Sequence, residues 1–213
     1  MRIEVDPSLL TRLTAEFRRR GIDLLLAETK EEAREAVLGL IPAGATVMAG
    51  SSLTLDAIGV TDRLKGGQYR YLRQDVRAID DPEQRYAMRR QSLVADYFLG
   101  GINAIAATGE IVNVDSSGSR IAGYAYGGRK VIMVSGLNKV VPTLADALDR
   151  IRVVAAVQEA RRVGRTPPCI DDGVCRNYEC YPPQRQCGKI LIIEKENVPG
   201  RITVVLVGES LGY

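Results

Sequence analysis

The chain contains no histidine among its 213 residues. Neither Ser-His-Asp nor Cys-His catalysis is therefore possible, and no zinc site can use imidazole ligands. Acid–base chemistry would depend on carboxylates, lysine or tyrosine. A strong charge of one sign is also missing, because the net charge is only +3. Without a basic domain or interleaved aromatic and basic residues, the composition argues against a nucleic-acid-binding protein.

Long apolar runs are missing as well. No segment approaches the roughly 18 consecutive apolar residues that a membrane-spanning helix needs. The N-terminal stretch MRIEVDPSLL carries acidic residues where a signal peptide would be basic and then apolar. We therefore expect a cytoplasmic protein that does not contact a membrane. In that compartment, cysteines are normally kept as thiols.

Short apolar segments alternate along the chain with segments of helical period. Helices are predicted from Pro7 to Gly21, from Thr29 to Pro42, from Pro82 to Phe98 and after Thr143. The predicted strands are ATVMAGSS, INAIAATG, EIVNVD, KVIMVSG, KILIIEK and RITVVLVG. This alternation predicts one α/β domain over residues 1–213, with helices covering both faces of the sheet.

Three predicted loops lead from a strand towards a helix and carry polar residues. They are residues 50–54, residues 115–120 and residues 136–139. Ligands of open α/β sheets bind at such loops, and hydroxyl and backbone N–H groups there suit a phosphate or carboxylate. The alternative is that these serines and aspartates only cap helices. Neither a dinucleotide fingerprint nor a P-loop is present.

Short runs of arginine occur at Arg18-Arg19-Arg20, Arg89-Arg90 and Arg161-Arg162, each on a predicted helix. Runs of this kind are typical of a solvated helix face, and we interpret them in that way.

The segment ADYFLGGINAIAATGEIVNVDSSGSRIAGYAYGGRKVIMVSGLNKVV, residues 95–141, resembles the signature of the LUD (lactate utilisation) domain family, which includes LutC-like proteins. The stretches GSSLTLDAIG and GRITVVLVGESLGY are similar to other parts of that family. Ser119 departs from the pattern, in which asparagine precedes the arginine. The resemblance implies a Rossmann-like fold related to the ribose-phosphate isomerase and CoA-transferase group.

The same resemblance implies a role in the oxidation of L-lactate to pyruvate, beside iron–sulfur partner subunits. The three polar loops described above predict a pocket for a small anionic metabolite. Carried over by position, the pocket residues are Ser51, Ser52, Thr54, Asp115, Ser117, Gly118, Arg120, Asn138 and Lys139. The nine tyrosines suit self-association, so a homo-oligomer is a second expectation for partners.

All four cysteines lie in an irregular, proline-rich stretch, residues 164–188, which we predict to be a metal-binding insertion. They are Cys169, Cys175, Cys180 and Cys187. Four thiolates suit a [4Fe–4S] cluster or a Cys₄ zinc site. Structural zinc usually uses Cys-x-x-Cys pairs, and none is present, so the iron–sulfur cluster is favoured. Disulfides or idle thiols are the alternatives.

Two functions follow from these patterns. The first is an accessory or redox component of organic-acid metabolism that holds a metal centre and an anion. The second is a transferase or isomerase acting on a CoA ester or a phosphorylated or carboxylate substrate, with structural zinc. For the second, Glu110 is the candidate nucleophile or base. A solvated carboxylate at the start of a strand is the alternative interpretation of Glu110.

Overall fold

The computed structural model describes residues 6–213, which form a six-stranded and a four-stranded sheet. The strands, in chain order, are β1 (Asp23–Ala27), β2 (Thr46–Ala49), β3 (Arg70–Tyr71), β4 (Tyr97–Gly101), β5 (Ala104–Ala106), β6 (Ile111–Asp115), β7 (Lys130–Gly136), β8 (Val140–Val141), β9 (Lys189–Ile193) and β10 (Ile202–Val207). The six-stranded sheet has the order β1-β10-β7-β4-β2-β3 and is parallel throughout. The carboxyl ends of these six strands therefore meet at one edge.

The helices follow local sequence signals. They are α1 (Pro7–Arg19), α2 (Lys30–Gly39), α3 (Leu53–Ala57), α4 (Val60–Leu64), α5 (Leu72–Arg77), α6 (Pro82–Gln91), α7 (Ser119–Ala122), α8 (Leu144–Arg150) and α9 (Ala156–Arg162). Asp6, Thr29 and Thr143 cap three of these helices, because their side chains accept hydrogen bonds from backbone N–H groups of the first turn. A π-helical turn, Ile151–Ala155, joins α8 to α9.

Alternate residues of the central strands pack on opposite faces of the large sheet. In β7, Val131 and Met133 join the core that contains α1, whereas Ile132 and Val134 join the core that contains α2, α3 and α4. Both faces are thus covered by helices, as the near-continuous apolar runs predict. The expected α/β architecture with a mostly parallel sheet is confirmed.

The four-stranded sheet, of order β8-β5-β6-β9, extends the architecture beyond the single sheet that the sequence predicts. Strands β5 and β6 are antiparallel and are joined by the turn at Gly109, where φ is +102°. Ile105 and Ile111 pack into the core beneath the large sheet. Ala104 and Val112 face the other way, against α8.

The predicted helix from Pro82 to Phe98 is wrong in its second half. Helix α6 ends at Gln91, and the central strand β4 begins at Tyr97. Leu93, Val94, Tyr97 and Phe98 continue a helical period, but Phe98 is buried between β2 and β7 as part of the parallel sheet. Tertiary burial therefore decides the conformation here against the local pattern.

Between α9 and β9 the structure describes only a short 3₁₀ turn, Asn177–Glu179, which lies within the cysteine-containing stretch. Among residues 6–213, no helix combines the length and apolar character that crossing a bilayer requires.

Candidate functional site

A cavity of about 530 Å³ lies at the carboxyl ends of β2 and β4, beside the end of β6. Residues 49–54 after β2, residues 101–103 after β4 and Asp115 form much of its wall. Helices α5, α6 and α9 contribute further residues to the wall. The position at the strand ends and the size are those of a small-molecule site in an α/β protein.

Six of the nine residues carried over from the sequence resemblance line this cavity: Ser51, Ser52, Thr54, Asp115, Arg120 and Lys139. Some of them also have structural roles. Ser52 caps α3 by accepting a hydrogen bond from the Leu55 N–H at 3.2 Å, and Asp115 accepts one from the backbone N–H of Arg120 at 3.0 Å. The capping alternative therefore applies to these two residues alongside any contact with a ligand.

The other three carried-over residues lie outside the lining. Ser117 is exposed, and Gly118, with φ of +90°, precedes α7. Asn138 holds the C-terminal segment, because its Oδ1 accepts from the Leu211 N–H at 3.1 Å and its Nδ2 donates to the Gly212 carbonyl at 3.2 Å. Asn138 does not line the cavity itself, but it holds Gly212, which is part of the wall.

Arg120 is held by neutral acceptors. Its guanidinium donates to the Gly101 carbonyl (2.9 Å), Asn113 Oδ1 (3.0 Å), Asn103 Oδ1 (2.8 Å) and the Val114 carbonyl (2.7 Å). It also lies 5.6 Å from the centre of the buried Tyr124 ring, within cation–π range. These contacts fix the guanidinium without neutralising its charge.

The two glycines at the end of β4 permit this packing. A Cβ at Gly100 would lie 1.8 Å from Tyr124 Oη, and a Cβ at Gly101 would lie 2.9 Å from Ser52 Oγ. Tyr124 Oη donates to the Gly101 carbonyl at 3.0 Å. The motif LGGIN is therefore needed for the close approach of the cavity's polar groups to β4.

Lys139 is only 2% exposed and lines the same cavity. Its Nζ donates to Thr54 Oγ1 at 2.9 Å and to the Ile102 carbonyl at 3.0 Å. Burial lowers the pKa of Lys139 to about 7, and the positive charges of Arg150 and Arg120 contribute in the same direction. A lysine of this kind exists partly as a neutral amine near neutral pH.

Four further cations in the cavity wall, Arg73, Arg77, Arg85 and Arg89, come from α5 and α6 and were not predicted as site residues. Arg89 is exposed, as expected for a solvated helix face, and it also lines the cavity, where its guanidinium donates to Ser119 Oγ at 2.6 Å. Arg73 and Arg77 are four residues apart, as are Arg85 and Arg89, and this spacing was the only sequence pattern that could have indicated them. It places both members of each pair on one helix face.

Within residues 6–213, the wall therefore contains six basic side chains and two carboxylates, Asp115 and Glu159. Glu159 is already paired, because Arg162 contacts it at 2.5 Å and the Tyr213 hydroxyl also donates to it. Burial raises the pKa of Glu159, but the hydrogen bonds from Arg162 and Tyr213 outweigh burial and lower it overall. The net field inside the cavity favours an anion.

Gln186 adds a neutral acceptor to the wall. It lies within the cysteine-containing stretch and lines the cavity. Its Oε1 is buried and has no hydrogen-bond partner among the described residues. An unpaired buried acceptor is costly, so a ligand that donates a hydrogen bond would satisfy it. Nothing in the sequence pattern distinguishes Gln186 from its neighbours.

The sequence matches a known protein family. The model of the LUD domain matches residues 10–207. The chain belongs to the LUD domain family. The resemblance seen in residues 95–141 is thereby confirmed.

Among solved structures, the LUD chain is similar to a DUF162 family protein from Deinococcus radiodurans. That structure aligns with a TM-score of 0.55 and 14% identity, over 96% of this chain and 99% of the other. This likeness supports the fold. Ribose 5-phosphate isomerase A from Methanocaldococcus jannaschii aligns over 86% of this chain and 96% of its own, at 11% identity and a TM-score of 0.39, which is too low to support an argument. No curated protein matches the chain in sequence.

Glu110 of the LUD domain lies at the start of β6, whereas the cavity lies at the other end of that strand. Glu110 pairs with Arg20 at 2.9 Å and accepts a hydrogen bond from Thr108. Burial raises its pKa, but the hydrogen bond from Thr108 and the charge of Arg20 lower it overall. The structure does not bring Glu110 to the cavity, and its catalytic role stays a prediction.

The four cysteines are free thiols, with Cys180 buried and the other three partly buried. Burial raises the pKa of Cys169, and the charges of Cys180, Cys187 and Cys175 raise it further. The four groups are thus within electrostatic reach of one another. Among residues 6–213, however, no three His, Cys, Asp or Glu side chains are arranged to hold a metal ion. The soft donor set suits a metal, but its arrangement here does not form a site.

Proposed function

We propose that this LUD domain protein binds a small organic anion in the cavity at the carboxyl ends of β2 and β4. The observation that carries the proposal is the excess of six cations over two carboxylates in the wall. Among the described residues, the guanidinium of Arg120 donates to neutral acceptors only, and Glu159 is already paired with Arg162. An entering carboxylate or phosphate therefore meets uncompensated positive charge in a confined, partly buried space.

The unpaired acceptor of Gln186 refines the class of ligand. A hydroxyl group on the anion could donate to Gln186 Oε1 while the anionic group contacts the cations. A 2-hydroxy acid has both groups. This agrees with the general association of the LUD family with lactate utilisation, and we propose a role in the oxidation of L-lactate to pyruvate.

Calorimetric titration with L-lactate, pyruvate and inorganic phosphate tests the proposal. Replacing Arg89 by Gln removes one cation from the wall, and we expect about tenfold weaker binding, the loss of one charge-assisted hydrogen bond. Arg90→Gln is the matched control, because Arg90 is exposed on the same helix and lies outside the wall. Equal effects of the two substitutions, or no heat with any of the three anions, would contradict the proposal.

A second proposal concerns Cys169, Cys175, Cys180 and Cys187, and it rests on their chemistry and proximity. We propose that these thiolates bind a metal centre, with a [4Fe–4S] cluster favoured over zinc, after the segment rearranges around it. Arg176, Arg185 and Lys189 lie in or beside this segment and would offset the cluster's negative charge.

Anaerobic isolation followed by iron, sulfide and zinc analysis tests this second proposal. Iron and sulfide near four per chain are expected for the cluster. They should be lost in Cys180→Ala, which removes the most buried thiol. Stoichiometric zinc without sulfide would show that the cysteines form a structural zinc site and not an iron–sulfur cluster. Thiols that retain neither metal would refute metal binding.

A further inference from the structure

We infer that Lys139 forms an imine with a small carbonyl compound that also carries an anionic group. This inference rests on the proposed anion cavity and assigns a reaction to one of its residues. The carbonyl carbon would lie at Lys139, and the anionic group would contact the guanidinium groups of the wall.

The hydrogen bonds of Lys139 suit a neutral amine. A neutral amine has two N–H groups, and the Nζ of Lys139 has two acceptors, Thr54 Oγ1 and the Ile102 carbonyl. With both N–H groups engaged, the nitrogen lone pair remains available. Neither of these two acceptors carries a charge.

The charges that face Lys139 favour the neutral form. Arg150 and Arg120 both lower its pKa, in addition to the larger effect of burial, and the resulting value is about 7. At neutral pH, the fraction of neutral amine then exceeds that of an ordinary lysine by roughly a thousandfold. Desolvation and neighbouring cations are the usual means by which a protein activates a lysine nucleophile.

Space beside the amine is preserved by Gly212. A Cβ at this position would lie 3.4 Å from Lys139 Nζ and 3.0 Å from Thr54 Oγ1. Asn138 fixes the C-terminal segment there through Leu211 and Gly212. The cavity of about 530 Å³ can accommodate a ligand of a few carbon atoms next to this amine.

The reaction needs no oxidant or metal. The Nζ lone pair attacks the carbonyl carbon and forms a C–N bond, and the carbonyl oxygen takes up a proton to give a carbinolamine. Loss of the carbinolamine oxygen with both original amine hydrogens, as one water molecule, then forms the C=N bond. The imine is reversible until a reductant traps it.

Trapping with sodium borohydride tests the inference on the full chain. Pyruvate and dihydroxyacetone phosphate are the two anionic probes, and acetone is the carbonyl probe without an anionic group. We expect one reduced adduct per chain at Lys139, mapped by peptide mass spectrometry. Adducts at the exposed Lys65 should be at least about tenfold less abundant. Preference for pyruvate would indicate a carboxylate ligand, and preference for the other probe a phosphate.

Lys139→Arg keeps the cation but removes the primary amine, so the adduct should disappear. The mapping on the unaltered chain keeps the test valid if that variant does not fold. Equal labelling of Lys139 and Lys65, or equal labelling by acetone, would overturn the inference. Calorimetry with phosphate separates the two claims: binding without an adduct refutes only the imine. Absence of both refutes the anion cavity as well.

Discussion

Arg120 and Lys139 are basic residues whose side-chain nitrogen atoms donate to neutral oxygen atoms. Arg120 contacts two amide side chains and two backbone carbonyls, and Lys139 contacts Thr54 and the Ile102 carbonyl. Stability alone would favour pairing such cations with carboxylates or replacing them, because burying an unpaired charge costs free energy. Their retention at the cavity fits a ligand that supplies the negative charge.

The cost of burying Lys139 can be measured. Its pKa is about 7 in the folded chain and 10.5 when unperturbed. Between these values the unfolded chain binds more protons than the folded one, so Lys139 makes the free energy of unfolding rise with pH. In the parent chain, Lys139 should raise the free energy of unfolding by up to about 4 kcal/mol between about pH 7 and pH 10. We expect this rise to be absent in Lys139→Met.

Urea unfolding of both proteins across that range provides the comparison, and the difference between them isolates Lys139. Lys65→Met controls for the loss of a surface lysine, because Lys65 is exposed. A constant difference between Lys139→Met and the parent chain at all pH values would contradict the desolvation of Lys139.

At the level of secondary-structure elements, the sequence predicted the segments that are locally distinct. The β2 and β7 strands are short, apolar and followed by polar loops, and their carboxyl ends meet because parallel strands share an edge. Strand β4 was missed because Tyr97 and Phe98 prolong the helical period of the preceding helix. Such a pattern cannot reveal that the segment is buried between two other strands.

Strand β4 also provides a packing test. Gly100→Ala would place a Cβ 1.8 Å from Tyr124 Oη, in the layer that supports Arg120. We expect destabilisation of about 1–3 kcal/mol, since overpacking forces a buried side chain to move. Weaker anion binding should accompany it, because Tyr124 lies beneath the Arg120 guanidinium.

Gly39→Ala is the matched control for Gly100→Ala. Gly39 is the last residue of α2, and a Cβ there would meet no atom within 4 Å. That substitution should be neutral or stabilising by a few tenths of a kcal/mol, through the unfolded state. Thermal melting and phosphate titration of both variants give the result. Similar melting temperatures of the two variants would show that Tyr124 can move away from a Cβ at residue 100 without loss of stability.

Across the whole molecule, the cavity combines parts that are remote in the chain, and the sequence could predict only some of them. The loops after β2 and β6 carry recognisable polar motifs. The arginines of α5 and α6 have the spacing of any solvated face, and only the fold turns Arg89 towards the cavity. Gln186 reaches the wall through an irregular segment whose path no periodicity describes.

This arrangement links the cysteine-containing segment to the cavity. Gln186 in the wall precedes Cys187, which packs against the core around Ala104 and Val112. Arg165, near the start of the segment, and Lys189, directly after it, both donate to Ser116 in the loop after β6. A group attached to Cys187 should therefore displace Gln186 and this loop, and weaken anion binding.

We expect alkylation of the thiols with iodoacetamide to weaken phosphate binding about fivefold or more, the range of a typical coupling between two sites. If only the unbound chain reacts, bound phosphate should slow the alkylation of Cys187 in proportion to the fraction of chains that hold the anion. Mass spectrometry of the labelled peptides follows each thiol separately.

Cys187→Ala should abolish the effect of alkylation on affinity, whereas Cys175→Ala should leave it in place, because Cys175 is not adjacent to a wall residue. Labelling of Cys187 at one rate with and without phosphate would show that the segment and the cavity act independently.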